Sequence, residues 1–299
     1  MSTEENKPSS DIPESPPEAR APSFAWQPVT PSGVAAFATA RIGRLLIVQL
    51  IVAGLVAWCV LWFVTTNWFP IVREAIAQLP DQGHILNQQL STPHTSTLPL
   101  AENRFLAIVI DADGIGTPTI ATDLRIEFHR RNVAFCSVFG CLNFDYPRDS
   151  TVQFNRPELQ SRWGAWRPMI LWMTGIGVVA WLFLSWAVLA TVYFAFVRAY
   201  AFFKDRRLSL PGSWKLCSAA LLPAALFAGG MILLYGLALV ELLHFLLLWS
   251  FHLVVGWLYV VLSPLKLPCA ADARPAGPRN PFGDGGPPEA APPANPFSA

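Results

Sequence analysis

The chain has 299 residues, of which 53% are hydrophobic and only 14% charged, and its formal net charge is +1. Ordinary soluble domains carry about 25% charged residues, so a wholly soluble chain is a poor fit. The near-neutral balance lacks the basic footprint of a nucleic-acid partner.

Residues 1–34 are rich in Pro and acidic side chains. They offer too little apolar surface to offset ordering entropy, so a disordered tail is expected. Four later stretches, 45–69, 168–197, 216–240 and 242–265, contain no Asp, Glu, Lys or Arg. A bilayer core about 30 Å thick is crossed by about 20 apolar helical residues. Helices are the natural solution there, because they satisfy their own backbone polar groups. Transmembrane helices are expected over 42–66, 168–200, 215–236 and 242–263. The first apolar run leads into Thr65, Thr66, Asn67 and Trp68, with no small-residue cleavage site. It reads as an uncleaved signal anchor.

Residues 67–167 form the one long polar insertion, and a small extracytoplasmic α+β domain is expected there. Residues 71–79 read as a short helix stopped by Pro80. Residues 104–110 read as a strand through the apolar run Ala107, Ile108, Val109 and Ile110. Leu124, Ile126 and Phe128 alternate with Arg125, Glu127 and His129, the period of a half-buried strand. Residues 133–139 are a further strand candidate. Asp111, Ala112, Asp113 and Gly114 are turn residues. They resemble the start of a calcium loop, but its twelfth position would be Ile120 rather than Glu, so a hairpin turn is expected.

The second apolar run is overlong. Its 30 uncharged residues would rise about 45 Å, so it should tilt or project into the cytoplasm. Pro223 should kink the third span. The third and fourth runs are close enough to form a hairpin that turns over 236–241. Residues 264–299, rich in Pro, Gly and Ala, read as a second disordered tail.

Basic residues in short loops set the orientation. Arg41 and Arg44 precede the first span, Arg198, Lys204, Arg206, Arg207 and Lys215 lie between the second and third, and Lys266, Arg274 and Arg279 follow the fourth. All three clusters share one side if both termini are cytoplasmic. The expectation is a multi-pass protein of the plasma (inner) membrane.

Cys136 and Cys141 lie close together in the translocated segment, with Gly140 between them. Outside the cytoplasm such a pair forms a disulfide; the alternative is two reduced buried thiols. Glu241 and His244 share one helix face, and His252 lies two turns on. Intramembrane ionisable groups are candidates for function. Glu241 falls at the expected hairpin turn, however, and a metal would lack ligands. An interfacial Glu and packing His residues are the plainer reading. Ala220, Ala224 and Ala228, like Ala53 and Ala57, repeat every four residues. Such faces let helices approach closely, within the bundle or with other membrane proteins. The C-terminal tail holds Asn280-Pro281-Phe282 and Asn295-Pro296-Phe297, tripeptides that look like ligands for EH domains, or a local duplication. No catalytic residue, cofactor or metal site is assigned.

The arrangement resembles an uncharacterised bacterial family, domain-of-unknown-function family 1189, over about residues 34–262. Phe69-Pro70, Leu79-Pro80 with Gly83, His84 and Ile85, Ile108 to Asp111 with Gly114, and Pro168 carry the likeness. The family is distantly similar to Yip-type membrane proteins. The resemblance implies one N-terminal span, an extracytoplasmic domain and a block of C-terminal spans, and it implies no catalytic residues. The expected protein is α-helical, with four transmembrane helices and the α+β domain inserted between helices one and two. Its expected role is that of a non-enzymatic adaptor, sensor or accessory subunit held in the lipid bilayer. The alternatives are a small-solute transporter component and an intramembrane metal-dependent enzyme.

Overall fold

A computed structural model describes residues 26–92, 97–113, 121–148 and 151–269. Four of its helical stretches are long and apolar enough to cross a membrane: Ile42–Gln78, Arg156–Phe203, Leu210–Gly236 and Leu242–Lys266. A strand-rich domain lies between the first and second.

Helical structure is present inside the N-terminal stretch that was expected to be disordered. Thr30 accepts a hydrogen bond from Gly33 N at 3.1 Å and Pro31 opens helix α1, Pro31–Ala36. Both residue types suit a helix start. Val34 and Phe37 are fully buried and join the core of the bundle. Residues 30–34 are therefore folded rather than disordered, held by the buried side chains of Val34 and Phe37. Residues 1–25 and 270–299, including both Asn-Pro-Phe tripeptides, lie outside the described residues.

Helix α2 (Ile42–Phe63) passes through a π-helical turn (Val64–Trp68) into α3 (Phe69–Gln78). Pro70 cannot donate a backbone hydrogen bond, and the widened turn falls just before it. Thr65 and Thr66 add side-chain bonds to the carbonyls of Leu61 and Trp62, at 2.8 and 2.7 Å. The first span thus continues into the domain without a break.

Helix α4 (Arg156–Phe203) has 48 residues and extends about 72 Å. Its start is twelve residues earlier than expected, because Asn155 caps it from Glu158 N at 3.1 Å with Pro157 in the first turn. Pro168 lies inside the helix and does not begin it. The extra length is mostly on the domain side, where the Trp163 ring meets Phe69 at 5.0 Å. The third span is two helices, α5 (Leu210–Ala220) and α6 (Leu222–Gly236). The break falls at Leu221, and Pro223 occupies the first turn of α6. Helix α7 (Leu242–Leu262) returns antiparallel after a short turn.

At the end of the bundle away from the domain, Lys215 Nζ donates to Ala40 O at 2.6 Å. There too, Tyr259 donates to Val29 O and Arg206 to Leu267 O. Residues near 29 and near 267 are therefore at the same end. Inside the bundle, Gln49 Nε2 on α2 donates to Ser218 Oγ on α5 at 2.7 Å, and both residues are buried.

The domain contains two sheets. Strands β1 (His84–Leu86), β2 (Gln89–Ser91) and β8 (Val152–Gln153) form the smaller, in the order β2-β1-β8. The larger runs β3 (Leu98–Glu102), β4 (Leu106–Ile110), β5 (Leu124–Phe128), β6 (Asn132–Ser137) and β7 (Gly140–Asp145). Every residue of β4 is buried, as befits an apolar run inside a sheet. Strands β4 and β5 pair parallel, Leu106 opposite Leu124 and Ile110 opposite Phe128. Asp111 to Asp113 therefore do not close a hairpin. They begin a crossover, which parallel pairing demands.

The core face of the sheet packs on α3 through Ile71, Ala75 and Leu79. On its other face Glu127 is buried and paired with Arg125 at 2.6 Å and His129 at 3.2 Å. Tyr146 donates to His129 O at 2.9 Å, and burial raises its phenol pKa.

Candidate functional site

The domain is fixed to the α6–α7 turn by side chains at one end of the large sheet. Helix α6 stops at Gly236 and Ala238 adopts a positive φ of 59°, so the carbonyls of Gly236, Ala238 and Val240 fall outside the helical ladder and are open to side-chain donors. Asn67 Nδ2 donates to Gly236 O at 3.3 Å. Arg104 Nη1 donates to Ala238 O at 3.0 Å and Nη2 to Val240 O at 2.8 Å. A cation suits the negative end of a helix dipole. Asn103 Nδ2 donates to Asn67 O at 2.7 Å, and its Oδ1 accepts from Phe105 N and Leu106 N. Tyr235 OH donates to Asp123 Oδ2 at 2.5 Å. Below these bonds the rings of Phe63, Phe105, Tyr235 and Phe245 pack in sequence, at 5.4, 5.0 and 4.6 Å. A Cβ on Gly236 would stand 2.6 Å from the Trp62 ring, so this close approach requires glycine.

The domain also holds a partly open apolar cavity of about 320 Å³. Val72, Ala75 and Ile76 of α3 with Leu79 just after it form one wall, Leu100, Ile108 and Phe128 of the sheet another, and Leu159 of α4 a third. Val152, Phe154, Arg162, Trp163 and Trp166 complete the lining. Small-molecule sites begin at about this volume and are mainly apolar with few polar groups. Arg162 is the only charged lining residue, and it pairs with Glu158 at 2.9 Å.

A second cavity, of about 260 Å³, lies among α2, α4, α6 and α7. Its polar lining is Ser185, Tyr193 and His252. Tyr193 and Trp257 touch at 4.9 Å across α4 and α7. Ser185 donates to Leu182 O at 2.8 Å, and His252 Nδ1 contacts Trp249 O. Most of its polar capacity is thus used within single helices.

The residues singled out from sequence fare differently. Cys136 and Cys141 are direct cross-strand partners in the β6–β7 hairpin, at disulfide distance with a Cα separation of 4.0 Å. Glu241 and His244 approach to 3.9 Å at the start of α7, but their side chains are 78% and 66% exposed. His252 is not brought to them. Among the described residues no three His, Cys, Asp or Glu side chains gather closely enough to hold a metal ion. Ala53, Ala57, Ala220, Ala224 and Ala228 are all buried inside the bundle. Gln49 with Ser218, the Arg104 clamp and the apolar cavity escaped the sequence reading. A lone Gln within an uncharged run was the one usable signal.

Comparison of the chain with family models, curated proteins and solved structures found no match in any of the three.

Proposed function

We propose that the chain is a non-enzymatic membrane sensor or accessory subunit whose extracytoplasmic domain binds an apolar ligand, such as a lipid chain. The 320 Å³ cavity between α3, the large sheet and the domain-side third of α4 carries this reading. Two of its walls are domain-side continuations of membrane-length helices, so a ligand there touches the helices that lead into the spans. The junction through Arg104, Asn103 and Asp123 would pass any shift of the sheet to the α6–α7 turn. The Trp163 and Trp166 side of the cavity suits the headgroup level, where Trp is favoured. The likeness to family 1189 agrees with this arrangement and rests on its short motifs alone.

Native mass spectrometry of the full chain, released from detergent micelles, tests the reading. Wild type should retain a bound apolar molecule that Ile76→Trp, which fills the cavity from its half-buried edge, does not. Equal retention by both would contradict it. A second reading, a transporter component, is favoured by the 260 Å³ cavity among the spans and by His252 in its wall. Solute uptake lost on deletion and restored by wild type but not by His252→Leu would support that reading instead.

A further inference from the structure

Strand register shows which end of the large sheet faces the spans. Arg104, Phe105 and Asp123, which hold the α6–α7 turn and its aromatic cluster, lie just before β4 and β5, whose first residues Leu106 and Leu124 are register partners. Leu124 pairs with Ser137, and Ser137 with Gly140. The β6–β7 turn, Val138 and Phe139, is therefore at this same end, level with Asp123. Two strand spacings place it about 10 Å to the side of the contact between Asp123 and Tyr235. Val138 is 66% and Phe139 83% exposed, and Leu142 on edge strand β7 is 66% exposed. The Cys136–Cys141 pair ties the strands directly behind the tip, and Gly140 turns the chain with a φ of 110°.

We propose that Val138 and Phe139 insert into the lipid interface on the domain side, so that the tied hairpin is a lateral anchor beside the spans. The occupant is lipid because of level. Tyr235 lies in the last turn of a helix of membrane-crossing length, and the neighbouring turn presents Leu237 and Leu239 outward, 56% and 69% exposed. Two bulky apolar side chains at that depth reach the lipid interface, with the polar Asp123 contact at the same level to one side. The inference rests on the reading that these helices cross a bilayer, and the test separates the two.

A benzophenone amino acid replaces Phe139, Arg131 or Leu243 in turn, in the full chain held in nanodiscs of phosphatidylethanolamine and phosphatidylglycerol. Arg131 is exposed at the far end of the same sheet, and Leu243 is exposed on α7. After irradiation the intact mass should rise by one lipid for positions 139 and 243 and not for 131. Lipid adducts at 243 but not at 139 overturn the anchor alone. A doubled chain mass at 139 shows a second copy on the hairpin and overturns it as well. No lipid adduct at 243 overturns the spanning reading of α7, and the anchor with it.

Discussion

Helices α5–α6 and α7 have nearly the same mean hydropathy, yet 72% of the most apolar stretch of the first is buried in the protein and only 11% of the second. The difference is one of side-chain size. The buried pair presents Ala220, Ala224, Ala225, Ala228 and Gly229, whereas α7 carries Leu243, Leu247, Leu253, Val254 and Leu258 outward. Small residues let backbones approach where lipid supplies no hydrophobic drive. A Cβ on Gly229 would stand 3.4 Å from Val56, and one on Gly256 would stand 3.5 Å from Ala224. Hydropathy says that a helix can cross; size says whether it stands at the centre or the rim.

The sharpest way to break this contrast is to enlarge the centre. Ala220→Leu adds bulk at a position with no exposed surface and should destabilise by up to about 3 kcal/mol. Leu247→Ala on α7 should stay within about 0.5 kcal/mol, as surface changes do. Thermal unfolding in detergent compares the two, and equal losses would dissolve the distinction. Next comes the junction. Arg104→Ala removes two bonds to the α6–α7 turn and should cost about 1.5 kcal/mol, the low end for charged donors at a part-exposed site. Hydrogen exchange should rise over residues 237–241 and not in the middle of α6. Ser218→Ala leaves Gln49 without its acceptor and should cost about 0.6 kcal/mol, the average for such bonds between membrane helices. The smallest effect is expected at Glu241, which is exposed and caps nothing. Glu241→Gln should change stability by less than about 0.5 kcal/mol, and a large loss would reopen its role with His244.

The apolar helices and the hairpin turn were legible because charge-free runs and their interruptions are local signals. Strands β4 and β5 were legible from an apolar run and from period-two alternation, which are also local signals, but their parallel pairing was not. Turn residues at Asp111 and Asp113 say that the chain bends, not where it goes next. The helical start at Thr30 and Pro31 was hidden in a Pro-rich tail, since burial of Val34 and Phe37 depends on partners far along the chain. Residue 168 was read as the start of the second span because the charge-free run begins there, after Arg167; here the earlier cap at Asn155 sets the start of the helix. The Arg104 clamp joins residues 136 positions apart, and no local pattern announces such a contact. The apolar cavity is likewise a product of packing between α3, the sheet and α4.

The most direct test concerns the two ends of the bundle. The Arg104 clamp marks one end, and the contacts of Lys215 with Ala40 and Tyr259 with Val29 mark the other. Reporters fused after residue 120 and after residue 210 should lie on opposite sides of the membrane, the first outside the cytoplasm and the second within it. Both reporters on the same side would contradict the four-span arrangement and the placement of the strand-rich domain.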